Sequence, residues 1–306
     1  MGDEKSAADV FAVLSDETRV DVLRAVAVTQ NELQVGGGPP RLSFSDIYER
    51  VDVDNTSKLS YHLGELTGTF LRKDDDGYSF THAGENIVRF ILAANYEEPR
   101  EFGPISVEGV CPGCGEDALH ARPNHQMLLV ECSDCGQPAS AYDIPPAQAR
   151  DRDGEQLIRS IKQRYTAHYR QVHQGTCPEC TGALSTTVLD LAEMSVEGTD
   201  HDYAVSDECE SCLRRYNAPL SYSVAYHPAS VAFHWDHGID ITSTALWEFH
   251  EYARDGAWTA EKRASDSDEY VVELRQDEDM LRLYLDAAAD VSRTERVRRH
   301  SGAGSR

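Results

Sequence analysis

Between Leu42 and Thr81 the spacing of apolar positions changes twice. Phe44, Ile47 and Val51 recur at helical intervals behind Ser43, which predicts a short helix over Phe44–Val51 with Ser43 as its N-cap. A turn over 52–55 follows, in which Asp54 or Asn55 caps the next element. Leu59, Leu63 and Leu66 then fall at i, i+4 and i+7, one apolar stripe on a helix over Thr56–Leu66. Ser57, Tyr61 and Gly64 point the other way, flanked by Lys58, Ser60 and Glu65. The strand-like runs FLRK and GYSF flank a tip of Asp74, Asp75, Asp76 and Gly77, where Asp-Gly is a strong hairpin signal. The order is helix, turn, polar-faced helix, hairpin.

Upstream, the pattern predicts a helix over Ala7–Leu14 with Val10, Phe11 and Leu14 on one side. Ser15 is placed to cap a second helix over Asp16–Thr29, with Val20, Leu23 and Val26 or Ala27 toward the core. Residues 30–41, which include GGGPP, read as a loop, and no Lys-Ser/Thr follows to make a phosphate cradle. Downstream come a helix over Ala83–Tyr96, a linker over Glu97–Pro104 and a helix over Glu155–Gln174. A strand over Tyr216–Val224 precedes helices over Ala229–His237 and Ser243–Arg254. Strands are expected at Trp258–Ala264, Tyr270–Arg275, Met280–Leu285 and Ala288–Thr294, and a basic tail ends the chain. Trp235, Trp247, Phe249, Tyr222 and Tyr226 either fill the core of a small α+β domain or wall a pocket for a small-molecule effector.

The cysteines add a second organising signal. All 8 fall in four Cys-x-x-Cys pairs: Cys111/Cys114, Cys132/Cys135, Cys177/Cys180 and Cys209/Cys212. The 17 residues between Cys114 and Cys132 match a zinc ribbon, and a looser 28 separate Cys180 from Cys209. Pro112, Gly115, Gly136 and Pro178 suit the sharp turns of such knuckles, with LLVEC (Leu128–Cys132) and VLDLAEM (Val188–Met194) as intervening strands. The expected cofactor is two structural zinc ions per chain, or iron in the same tetrahedral sites. Four thiolates close each shell against water and leave no cysteine over as a nucleophile. The 12 histidines include no H-E-x-x-H; His227, His234 and His237 lie on or beside one short helix and read as surface or packed imidazoles. No catalytic residue emerges, and the chain is not expected to be an enzyme.

Composition alters this picture in one respect. Of 306 residues, 53 are Asp or Glu and 29 are Lys or Arg, a formal net charge of −24 spread along the whole chain. An even acidic coat with scarce lysine resembles the proteins of salt-loving archaea. Through Glu98 there are 9 basic and 18 acidic residues, so this stretch lacks the basic footprint usual in nucleic-acid binders. No run of 18 apolar residues, secretory signal or lipidation motif is present, which predicts a cytoplasmic protein without membrane contact.

LSDETRVDVLRAV (Leu14–Val26), SYHLGEL (Ser60–Leu66) and YSFTHAGENIV (Tyr78–Val88) together resemble ArsR-like winged helix-turn-helix transcriptional regulators of haloarchaeal type. The family's S-x-H-L-x-x-L falls on Ser60, His62, Leu63 and Leu66, and its T-x-A-G on Thr81, Ala83 and Gly84. The part from Cys111 onward resembles the uncharacterised carboxy-terminal half of such regulators. The resemblance implies a homodimer on double-stranded DNA, formed through the first and last helices of the reader domain. Thr56, Ser57, Lys58, Ser60 and Tyr61 would then meet the major groove, with Arg72 and Lys73 on phosphates from the wing. The expected class is α+β: a winged helix-turn-helix domain over 1–98, a first zinc ribbon over 99–150, then a connecting helix, a second ribbon-like element and a small α+β domain over 151–306. The other reading is an adapter that uses winged helix and ribbons for protein contacts in the transcription apparatus.

Overall fold

The computed structural model describes residues 6–33, 40–99, 101–194, 201–264 and 267–298, a mixed α+β chain with four antiparallel sheets among those residues. The glycine run Gly36–Gly38 and the basic tail beyond Arg298 lie outside them. The chain divides into two compact units, Met1–Glu98 and Pro99–Arg306. Among the described residues no helix is long and apolar enough to cross a membrane.

The first unit contains α1 (Ala7–Ala12), α2 (Glu17–Leu33), α3 (Phe44–Tyr48), α4 (Thr56–Leu66), β1 (Leu71–Asp74), β2 (Gly77–Phe80) and α5 (His82–Leu92). Short polar side chains fix where helices start, because they take up N–H groups that have no partner inside the helix. Ser6 with Asp9 and Ser43 with Asp46 form capping boxes, Asn55 accepts the Lys58 N–H, and Thr81 accepts that of Gly84. Ser15 does not cap α2. It ends a 3₁₀ turn over Val13–Ser15, and the Asp16 carbonyl receives the N–H groups of Arg19 and Val20 instead. Phe11 is 66% exposed, since Val10, Val13 and Leu14 share the inward face and Phe11 lies a quarter-turn away. Val22, Leu23 and Val26 of α2 pack on Ile47, Leu59, Leu63 and Leu66 and on Phe70, Leu71 and Phe80 of the hairpin. Burial of each large side chain contributes roughly 1.5–3 kcal/mol relative to exposure. The hairpin turns at Asp75–Asp76, one residue earlier than Asp-Gly suggests. Gly77 opens the return strand, where a Cβ would stand 2.4 Å from the Leu42 carbonyl oxygen.

The second unit begins with a sheet in chain order: β3 (Ile105–Ser106), β4 (Leu119–Asn124), β5 (Met127–Cys132) and β6 (Pro138–Asp143). After α6 (Pro146–Ala149) and α7 (Gly154–Val172) comes a sheet of β7 (Leu184–Asp190), β8 (Tyr203–Cys209) and β9 (Arg215–Pro219). Then α8 (Leu220–Ser223), α9 (Pro228–Asp236) and α10 (Phe249–Ala253) lead to β10 (Trp258–Lys262), β11 (Tyr270–Gln276), β12 (Asp279–Leu285) and β13 (Val291–Arg298). The first sheet has no core to itself. Leu119, Leu128 and Val130 share one with Leu157 and Ile161 of α7 and with Trp247.

Several expected elements are shorter or displaced; the helices expected over Phe44–Val51 and Ala83–Tyr96, for example, end at Tyr48 and Leu92. The strand expected over Tyr216–Val224 stops at Pro219, which has no N–H to donate, and the apolar run continues as α8. The helix expected over Ser243–Arg254 starts only at Phe249. Thr244 is extended there, and the Glu248 carboxylate takes the Ala245 N–H at 2.5 Å. β7 ends at Asp190, short of Met194. Ala288–Asp290 form a turn, not a strand start, because the Asp286 carboxylate accepts the N–H groups of Ala288 and Asp290.

Candidate metal centres and nucleic-acid interface

All eight cysteines are free thiols gathered into two sets, Cys111/Cys114/Cys132/Cys135 and Cys177/Cys180/Cys209/Cys212. The four Sγ atoms of each set lie within 4.8 Å of one another. Sulfurs of opposite knuckles stand 3.5 Å apart (Cys111–Cys135) and 3.7 Å apart (Cys114–Cys132) in the first set. In the second they stand 3.7 Å apart (Cys177–Cys212) and 3.4 Å apart (Cys180–Cys209). A tetrahedral ion with sulfurs at about 2.3 Å spaces them about 3.8 Å apart, whereas a disulfide brings two sulfurs to about 2 Å. Both sets therefore fit a four-coordinate metal ion.

One backbone pattern builds all four knuckles. The N–H of Cys111, Cys132, Cys177 and Cys209 donates to the carbonyl of Glu116, Gln137, Gly182 and Arg214 respectively, at 2.8–2.9 Å. The N–H of Gly115, Gly136, Thr181 and Leu213 returns to the carbonyl of the first cysteine, at 2.8–3.0 Å. These last four residues adopt left-handed backbone, with φ of 77°, 74°, 61° and 62°. Each turn leaves its first cysteine buried and its second exposed.

The knuckles also stabilise thiolates. Burial pushes the Cys111 thiol up, but the N–H groups of Cys114 and Gly113, at 3.5 and 3.3 Å from Sγ, outweigh it and bring it to about 7. Cys209 is drawn down to about 6, chiefly by the Cys212 N–H at 3.5 Å. Each set thus holds one sulfur near the deprotonated form that a metal requires. The second set has a further donor: the buried Tyr216 hydroxyl lies 3.9 Å from Cys177 Sγ. Cysteine spacing gave no sign of Tyr216.

In the first unit, α4 holds Thr56, Ser57, Lys58, Ser60 and Tyr61 on its exposed face and buries Leu59, His62, Leu63 and Leu66. Lys58 Nζ meets Asp54 at 3.2 Å. Tyr61 is 57% exposed, with the Arg19 guanidinium 5.7 Å from its ring centroid. Arg72 and Lys73 lie exposed on β1; Arg72 Nε donates to Ser79 Oγ at 2.8 Å, and Lys73 Nζ sits 5.3 Å over the Tyr78 ring. His62 is 4% exposed, and its Nδ1 is 3.8 Å from Asp16 Oδ1. Desolvation raises the Asp16 carboxyl, but His62 and the N–H groups of Arg19 and Thr18 prevail and hold it below the usual range. The signal for a buried His62 lay in its place three residues after Leu59.

The remaining candidates are structural. His227 Nδ1 accepts the Ala229 N–H, and Nδ1 of His234 and of His237 faces the carbonyls of Ser230 and Phe233 at 2.8 Å. Among the described residues, the groups of three or more potential ligands close enough to hold a metal are the two cysteine sets. Trp247, Phe249, Tyr222 and Tyr226 are buried in cores, whereas Trp235 is 67% exposed, so the five do not wall a common pocket.

Residues 108–291 match a family described as a domain of unknown function (DUF7351), and residues 7–91 match another (DUF7347). No curated protein and no solved structure is significantly similar to the chain.

Proposed function

We propose that this chain, which belongs to the DUF7351 domain-of-unknown-function family, is a cytoplasmic, sequence-specific DNA-binding transcriptional regulator carrying two structural zinc ions. The observation that carries this reading is α4: five polar side chains on one open face, backed by a buried stripe against α2, α3 and the hairpin. That arrangement agrees with a winged helix-turn-helix of ArsR-like type, whose second helix enters the major groove of double-stranded DNA. Exposed Phe11, Phe90, Leu92 and Tyr96 on or near α1 and α5 support a homodimer contact there. Zinc is the metal that suits closed four-thiolate shells without chemistry at the ion.

The acidic surface speaks for the adapter reading, since the first 98 residues carry 9 basic and 18 acidic side chains. In molar salt, however, the Debye length falls to about 3 Å, and direct contacts decide binding. The experiment is a mobility shift in molar potassium chloride on DNA recovered by genome-wide mapping of bound sites. Replacing Lys58 and Tyr61 together with alanine is expected to abolish specific binding with the fold intact, at about 1–3 kcal/mol for each lost base contact. Unchanged affinity of the double variant would remove α4 from the interface, and no shift by the native chain would favour the adapter.

A further inference from the structure

Tyr61 is the largest side chain on the open face of α4, 57% exposed, and its support comes from another helix. Arg19 of α2 reaches across with a side chain that is itself only 11% exposed. Its Nη1 donates to the Val13 carbonyl at 3.1 Å, which ties it to the turn before α2. Its Nη2 carries two hydrogens and has two acceptors in reach, Tyr61 Oη at 3.4 Å and Glu65 Oε2 at 3.5 Å. The guanidinium carbon also lies 5.7 Å from the centroid of the Tyr61 ring, within the range of cation–π attraction. Anchors on the turn and on α4 thus hold a planar fork against an exposed phenol.

This contact does two things to Tyr61. It restrains a side chain that would otherwise give up its rotamer freedom only on binding. It also settles the direction of the hydroxyl. A phenol oxygen both donates and accepts, whereas a guanidinium only donates. With Arg19 on the oxygen, the Tyr61 hydrogen is left to donate outward. In the major groove guanine N7 and O6 and thymine O4 accept, while cytosine offers only a donor. Arg19 is too buried to meet DNA itself, so its effect passes through Tyr61.

We infer that Arg19 is a positioning residue that makes Tyr61 a dedicated hydrogen-bond donor to an acceptor atom of DNA, on a guanine or thymine edge or on a phosphate. The inference rests on the proposal that α4 enters the major groove.

The test is a double-variant cycle in molar potassium chloride, with the full-length, zinc-loaded protein and a duplex recovered by genome-wide mapping. Tyr61→Phe keeps the ring and loses the donor; Arg19→Met keeps the buried stem and loses the fork. Each is expected to weaken binding about tenfold, and the two together also about tenfold, not about a hundredfold, because they remove one contact. Exchanging each base pair in turn then locates the acceptor. A preference for guanine or thymine over cytosine at one position, lost in both variants, puts it on a base; equal loss on every duplex puts it on a phosphate. An Arg19 that only braced the fold would weaken binding as much in the Tyr61→Phe background as in the native chain. That additivity would overturn the inference, as would undiminished binding by either single variant. Should Arg19→Met fail to fold, Arg19→Lys takes its place in the cycle, since an ammonium lacks the fork that serves Val13 and Tyr61 at once. A native chain that shifts no duplex sinks the reading of α4 as well, whereas additivity sinks the role of Arg19 alone.

Discussion

At the first metal centre the two residues in left-handed backbone are Gly115 and Gly136; at the second they are Thr181 and Leu213. Glycine takes that conformation freely, whereas a residue with a Cβ is disfavoured there by roughly 1–2 kcal/mol. The knuckle hydrogen bonds are nonetheless the same at both centres, 2.8–3.0 Å. The first centre is therefore encoded locally, by residues that prefer the required turn. The first cysteines of both centres are buried in cores, Cys111 and Cys132 beside Leu119 and Cys177 and Cys209 beside Val172 and Tyr216, but only the second centre needs its bonds and packing to hold turns that its residues disfavour. Two identical ligand cages can thus rest on different sources of stability.

The largest test of this contrast removes a ligand. Cys111→Ser and Cys177→Ser are each expected to take one zinc ion from a complement of two, read by native mass spectrometry. Structural zinc contributes on the order of 10–16 kcal/mol of apparent binding energy in small domains. Circular dichroism should show more extensive loss for Cys177→Ser, because both cysteines sit in cores that α7 shares but only the second centre's turns, at Thr181 and Leu213, are held against their backbone preference. Equal damage from the two variants would break the comparison.

A smaller effect is expected at the left-handed positions. Gly115→Leu should lower stability by roughly 1–2 kcal/mol in urea unfolding. Leu213→Gly relieves the same strain but frees the unfolded chain by about 0.5–1 kcal/mol, so a net gain of at most about 1 kcal/mol is expected. Shifts of the same sign would mean that the two centres are not furnished differently. The finest test is Tyr216→Phe, which deletes the hydroxyl beside Cys177 for about 1 kcal/mol or less. It should speed zinc transfer to a chelator from the second centre alone; an unchanged rate would leave Tyr216 a packing residue.

The same contrast explains what could be read from the chain. Leu59, Leu63 and Leu66 sit at clean helical intervals, so α4 and its open face are legible in the sequence. Paired cysteines fixed which residues form knuckles, and Gly115 and Gly136 flagged two of the turns. No such flag precedes Arg214: Leu213 is 71% exposed, and its left-handed backbone goes with the bond from its N–H to the Cys209 carbonyl, which a linear pattern does not carry. Over residues 220–224 (LSYSV) apolar and polar side chains alternate with the period of a strand, so periodicity pointed away from α8.

The indole of Trp247 closes the core of the first sheet, its N–H donating to the Glu108 carbonyl at 3.1 Å across 139 residues of chain. During synthesis at about 5–20 residues per second, that stretch takes roughly 7–30 s to emerge. Through this interval Leu119, Leu128 and Val130 lack the side chain that covers them in the finished protein. The four thiols between Cys111 and Cys135 are complete far sooner. A metal captured there early would hold the nascent sheet together before its lid is made, and so would work as a placeholder for a core not yet complete.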